Sequence, residues 1–271
     1  MTPAAADRRR AQATDRLVGQ ARLLSDWFEG RTADELASQT ALPGWDVFTL
    51  GAHLVMMLQG VAVLLDRPTR DRPVPLHAYV AQYRGSVDDI GERTRTTANS
   101  LTDLPEELRA AVGRVAERLA GPWPEVIAGW RGPLRTEDFI TSRIFELVTH
   151  SDDLNSSALV TAGQSPPVPI HPQALAAATR GMAAVLADRF PGRTIEVRVP
   201  PYAAVQCGTA DHAAPGPAHT RGTPPNVVEI APLIFVRLCT GRARWVDAVS
   251  QHGVTASGIR ADLSEHLPLL S

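Results

Sequence analysis

Cysteine is scarce in this chain, aromatic residues are few, and the charges nearly cancel. Two of the 271 residues are cysteine, Cys207 and Cys239. They form no CxxC pair and no disulfide framework, which fits a reducing compartment, the cytoplasm. With 27 basic against 29 acidic residues the formal net charge is −2, and the one basic run, Arg8 to Arg10, reads as a solvated helical turn. A polyanionic partner is therefore disfavoured, and with it nucleic acid. GxSxG, Walker A and GxGxxG patterns are missing, so serine hydrolase, P-loop and Rossmann chemistry have no support. The start MTPAAADRRRAQAT has positive charge but no apolar run behind it, unlike a secretory signal. No internal repeat is visible.

Long hydrophobic runs are also rare. The exception is Val47 to Leu65, VFTLGAHLVMMLQGVAVLL, nineteen residues that a hydropathy plot would take for a membrane span. His53 and Gln59 inside hydrocarbon would be costly, Asp46 and Asp66 close the two ends, and no cationic flank orients the segment. It reads as a buried helix with Asp46 as its N-cap, following the turn made by Pro43 and Gly44.

Helical spacing recurs on either side. Ala13, Leu17, Ala21, Leu24 and Phe28 make an amphipathic first helix. Thr32 to Glu35 resembles a capping box. A third long helix is expected from His77 to about Ala98, with Tyr79, Val80, Tyr83, Val87 and Ile90 inward, and a fourth from Asp103 to Leu119. Residues 123–135, rich in tryptophan, read as irregular, and Thr136 as the cap of the helix that follows. Up to residue 158 the pattern is wholly helical, as in a four-helix bundle with a short extra turn. Serine, glycine and proline then dominate residues 155–172, the composition of a linker. Beyond it an alanine-rich helix, Gln173 to Asp188, gives way to a period of two at Ile195, Val197 and Val199, which is strand behaviour. Ala203–Cys207 and Val227–Ile230 continue the strands. Pro232 before LIFVRLC and Gly241 after it mark a helix, Arg244–Val249 another, Val254–Ser257 a short strand, and Asp262 the cap of a last turn. The expected fold is multidomain, an all-α bundle over residues 7–160 followed by a small α+β domain over 172–271.

The stretch TSRIFELVTHSDDL carries the densest chemistry. On a helix Arg143, Glu146, His150 and Asp153 fall on one stripe, at the border of the apolar face. Such a stripe suits a row of ion pairs as well as a ligand site. Glu146 and His150 at i,i+4 can share one metal, but two ligands are not a site. His53 on the long buried helix can supply the third in a bundle whose inner faces oppose. His, Glu and His would leave a coordination position open, as catalytic metals do. Asp153 would then orient a ligand, or lie exposed. Among other candidates, Arg237 and Arg242 are the cations best suited to pair with a substrate carboxylate. Cys207, His212 and His219 share a loop, but their spacing matches no zinc motif.

LPGWDVFTLGAHL taken together with SRIFELVTHSDDL resembles the mycothiol-dependent maleylpyruvate isomerase family, whose N-terminal domain is a DinB-like four-helix bundle. The resemblance covers roughly residues 10–160. It implies that His53, Glu146 and His150 bind a divalent metal, with zinc the default for nitrogen and carboxylate donors, and that mycothiol is a cofactor. The family commonly has H-G-W-D where this chain has His150-Ser151-Asp152-Asp153. FVRLCTGRARWVDAV with GVTASGIRADLSEHLPLL is similar to bacterial sterol-carrier-like domains, which implies an apolar groove. The leading expectation is a cytoplasmic, metal-dependent transferase or isomerase using a low-molecular-weight thiol. The alternative is a non-catalytic carrier of a small molecule or lipid, its metal vestigial or structural.

Overall fold

The computed structural model describes residues 3–211, 213, 216–222, 224–251 and 253–270. His212 lies outside them. In chain order the elements are α1 (Pro3–Phe28), α2 (Ala33–Leu36), α3 (Val47–Leu65), α4 (Leu76–Val80), a 3-10 turn, α5 (Val87–Ser100), α6 (Leu104–Ala120), β1 (Val126–Gly129), β2 (Gly132–Arg135), α7 (Thr136–Asn155) and α8 (Ala158–Thr161). There follow α9 (Pro172–Arg189), β3 (Ile195–Val199), β4 (Ala203–Cys207), β5 (Val227–Glu229), α10 (Pro232–Cys239), α11 (Trp245–Gln251) and β6 (Thr255–Ser257). They divide into two compact units. Residues 1–74 and 85–174 form the first, and residues 75–84 and 175–271 the second.

In the first unit α1 packs on α6, α6 on α3, α3 on α7 and α7 back on α1, which closes a four-helix ring. The sequence explains why α3 is its central member. Its N-cap Asp46 accepts a 2.7 Å hydrogen bond from the Thr49 amide, and leucine, valine and methionine occupy nearly every turn behind it. Most of α3 is buried within the protein, so its length and apolar character, sufficient to cross a membrane, serve a bundle core instead. The expected capping box at α2 is present, with Thr32 accepting from the Glu35 amide and Glu35 from the Thr32 amide.

Three expectations for this region need correction. The helix expected over residues 77–98 is broken by a 3-10 turn at Arg84–Ser86, leaving α4 and α5 as separate pieces. Val87, expected inside, is exposed, and α5 packs outside the ring against α3. Asp88 and Asp89 follow the break and complement the start of α5. The segment expected to be irregular contains an antiparallel hairpin, β1 with β2, paired from Val126 opposite Arg135 to Gly129 opposite Gly132. Ile127 and Leu134 form a buried cross-strand pair, while Gly132 at φ 109° follows the Trp130-Arg131 tip. Trp130 lies across Gly60, where an added Cβ would meet the ring at 2.5 Å. The cap of α7 is Arg135, with Thr136 one residue inside and its hydroxyl donating to the Pro124 carbonyl.

The second unit holds a four-stranded sheet in the order β4-β3-β5-β6, with β3 and β5 parallel and the outer pairs antiparallel. Burial alternates along β3 as its period of two requires, with Ile195, Val197 and Val199 inward. Pro232 opens α10 and Gly241, at φ 73°, follows its end. Asp262 accepts from the Ser264 amide at 2.7 Å but opens a turn rather than a helix. The unit also takes in α4 from the middle of the sequence, whose Tyr79 and Val80 are fully buried.

Candidate functional site

The first unit brings His53, Glu146 and His150 together. His53 reaches from the second turn of α3, and Glu146 and His150 from adjacent turns of α7. His53 Nε2 lies 3.8 Å from Glu146 Oε2, and the two imidazole rings meet edge to face with centroids 4.9 Å apart. His53 is 6% exposed, His150 9%, and the Glu146 side chain 18%. Each ring has its Nδ1 occupied. Nδ1 of His53 is 3.3 Å from the Thr94 hydroxyl of α5, and Nδ1 of His150 is 2.9 Å from Asp153 Oδ2. Asp153, at 1% exposure, is a buried orienting carboxylate rather than a surface charge.

Arg143 completes the stripe. Its guanidinium is 2.9 Å from Glu146 Oε1 and stacks over the Phe139 ring at 5.2 Å. Burial pushes the Glu146 carboxyl up, yet the Arg143 charge and the His53 contact outweigh it and hold the pKa down at about 2. Burial also pushes the His53 pKa down, against the opposing pull of Glu146. The result at neutral pH is an ionised carboxylate beside a neutral imidazole, the protonation states that bind a cation without first releasing a proton. Trp45, just before α3, lies beside His53 with ring centroids 5.3 Å apart and the planes tilted at 58°.

The donor chemistry suits a divalent metal. An ion 2.0–2.2 Å from each of two atoms can bridge up to about 4 Å, so the spacing of His53 and Glu146 accommodates one. Engaged Nδ1 atoms fix both rings, a support usual for metal-binding histidines. Against this, no three His, Cys, Asp or Glu side chains among the described residues converge as a ready-made ligand set. Glu146 spends one oxygen on Arg143, and its carboxylate would have to turn between the guanidinium and an ion. One buried polar group on α7 has no hydrogen-bond partner among the described residues. Thr149, 6% exposed on α7, has an unbonded hydroxyl, which in a protein interior costs about 1–3 kcal/mol.

The remaining candidates belong to the second unit. Arg237 is half-buried in the last turn of α10. Arg242 is exposed and donates to the Thr240 carbonyl at 2.8 Å, while its amide bonds the Arg237 carbonyl, so it helps to close the helix. Cys207 is buried in β4 with its thiol pushed up to about 12 by burial, and Cys239 is raised well above the ordinary range for the same reason. Neither is a nucleophile at neutral pH.

Sequence comparison decides the family. Residues 17–155, just over half of the chain, match the family model described as mycothiol maleylpyruvate isomerase N-terminal domain. The chain belongs to the mycothiol maleylpyruvate isomerase family. Residues 171–269 match the model described as bacterial SCP ortholog, so this member joins the isomerase N-terminal domain to an SCP-type domain. Among solved structures it is similar to a mutant of the mycothiol-dependent maleylpyruvate isomerase, at 17% identity and TM-score 0.51, covering 93% of this chain and 92% of that one. A second structure of mycothiol-dependent maleylpyruvate isomerase is similar at 19% identity and TM-score 0.49, with the same coverage. At that identity the first likeness speaks for the fold, a helical domain followed by a small mixed one. No curated protein sequence matches the chain.

Sequence reasoning passed over Thr94 and Thr149. Thr94 is 41 residues from the histidine it supports, and nothing in its own neighbourhood, GERTRTTANS, distinguishes it from the threonines beside it. Thr149 was visible as a helix residue one turn from Glu146, but an unbonded hydroxyl has no sequence signature.

Proposed function

We propose that this member of the isomerase family is a metal-dependent enzyme of isomerase or transferase type that uses mycothiol or a similar low-molecular-weight thiol. One observation carries the reading. An ionised carboxylate and two buried imidazoles, from α3 and α7, meet with the Nδ1 atoms of both rings already engaged, which leaves Nε2 of each ring and Oε2 of Glu146 to act as ligands. His53, Glu146 and His150 would hold the cation, zinc being the natural choice for this donor set. Such an ion lowers the pKa of a thiol or water bound to it and makes a nucleophile at neutral pH. Asp153 holds the His150 ring in place, Thr94 does so for His53, and Arg143 keeps Glu146 ionised. Arg237 and Arg242 are the cations we assign to pairing with a substrate carboxylate.

Metal analysis of the purified protein tests the ligand set. The expected content is close to one divalent ion per chain, falling below about 0.2 in His53→Ala. Wild-type protein below that level, unchanged by the substitution, would sink the metal reading. Thiol-dependent turnover on a panel of electrophiles then tests catalysis. The match of residues 171–269 to the bacterial SCP model favours a second reading, a carrier of an apolar ligand. Displacement of a fluorescent fatty acid, with no thiol-dependent turnover, would support that reading instead.

A further inference from the structure

Away from the histidine cluster, the first unit has a groove. It runs between the outer part of α1 and the end of α6 and encloses about 750 Å³. Its charged side chains are Asp7, Arg10, Asp15 and Arg22, a spacing that a helix of 3.6 residues per turn places along one side. Ala11 stands between them, and Ala116 and Ala120 face it from α6. Side chains this short keep the groove open.

Little inside the protein uses these charges. Asp15 and Arg22 are exposed, and their side chains make no ion pair or hydrogen bond among the described residues. Arg10 lies 3.9 Å from Asp7 and 5.9 Å from the centre of the Trp123 ring, near the outer limit of each kind of contact.

The order of the charges selects what fits. Along α1 the signs run minus, plus, minus, plus. From the other end they run plus, minus, plus, minus, so the stripe is its own complement when a second copy lies antiparallel to it. About a two-fold axis between Thr14 and Asp15, Asp7 of each copy faces Arg22 of the other, and Ala11 comes over Val18 on the groove wall. Arg10 and Asp15 are then out of register by one turn, about 6 Å, a distance the long arginine stem spans. A parallel copy in register sets like charges together. A uniformly acidic or basic partner is repelled by half of the stripe.

We propose that this groove is the interface of a symmetric dimer, in which two copies of the chain pack α1 antiparallel to α1. The charges fix orientation, and the covering of Ala11 and the filling of the groove supply the attraction. The stripe spans about 24 Å of helix, less surface than an obligate dimer uses, so the pair dissociates on dilution. The proposal is independent of the metal and thiol readings given above.

Sedimentation equilibrium of the full-length protein, from about 1 μM to about 1 mM, tests it. The wild-type mass is expected to move from one chain toward two across that range, and less so at high salt. Arg22→Asp sets two carboxylates against each other at both ends of the interface and is expected to weaken association about tenfold or more. Asp7→Arg does the same with two guanidinium groups. The double variant Asp7→Arg/Arg22→Asp exchanges the signs and is expected to return to within about threefold of wild type. Both positions are exposed, and the double variant, which carries both changes, separates a lost interface from a damaged fold. Wild-type protein that stays a single chain at the highest concentration overturns the proposal. So does a dimer indifferent to the single reversals, whose interface must lie elsewhere, or one that the double reversal fails to restore, whose helices are not antiparallel.

Discussion

Each unit of the protein buries a histidine, and the two have opposite surroundings. His266 in the second unit, 4% exposed, bonds the Gly208 carbonyl through Nε2 at 3.0 Å and lies edge-on to Phe190 with centroids 4.6 Å apart. His53 in the first is buried to a similar degree but is surrounded by Glu146, His150, Arg143 and Trp45. Burial therefore does not separate a packing histidine from one proposed as a metal ligand. What separates them is the kind of group facing Nε2, a neutral carbonyl for His266 and a charged carboxylate for His53.

The comparison can be pressed hardest at Glu146. In metal-free protein Glu146→Gln leaves the Arg143 charge without its partner, and the expected loss at neutral pH is up to about 3 kcal/mol, discounted for the partial exposure of the carboxylate. The sign follows from its depressed pKa. The contribution is complete above the ordinary value of 4.5 and fades as pH falls toward about 2. Urea denaturation of both proteins across that range should show the gap closing, and a gap independent of pH would remove Glu146 from its charged role. A smaller effect is expected from His266→Ala, about 2 kcal/mol, since it leaves the Gly208 carbonyl without its donor and a gap against Phe190. Divalent-metal content should not move. If it fell, the contrast between the two histidines would fail. Smallest of the three is Asp46→Ala, about 1 kcal/mol from the lost cap of α3, read by thermal melting. Metal content and mycothiol affinity should survive it, because the turn that carries His53 lies beyond the frayed end.

Much of this was legible in the sequence, and for local reasons. Asp46, the Thr32 and Glu35 capping box, Pro232 and Gly241 each act on chain within one turn of themselves, so α2, α3 and α10 could be placed to within a residue or two. The alternation at Ile195, Val197 and Val199 gave β3 equally well. The hairpin of β1 and β2 escaped because its strands are four residues long and contain glycine and proline, which read as loop until Ile127 and Leu134 are seen to pair. The helix expected over residues 77–98 joined two pieces whose apolar spacing happened to stay in phase across Gly85. At the site, Arg143 and Glu146 paired as i,i+3 spacing suggests. The meeting of His53 with α7 came from the opposed inner faces of a bundle and from family resemblance, since no local rule connects residues nearly one hundred positions apart.

The division of the chain has a practical side. Residues 75–84 go with the second unit, although both their flanks belong to the first, so no single cut yields two intact modules. A chimera that exchanged only the stretch after residue 171 between relatives would keep its own α4 in a foreign second unit, and the buried Tyr79 and Val80 would have to fit a core they did not evolve with. Exchange of the two segments together is the graft this architecture permits.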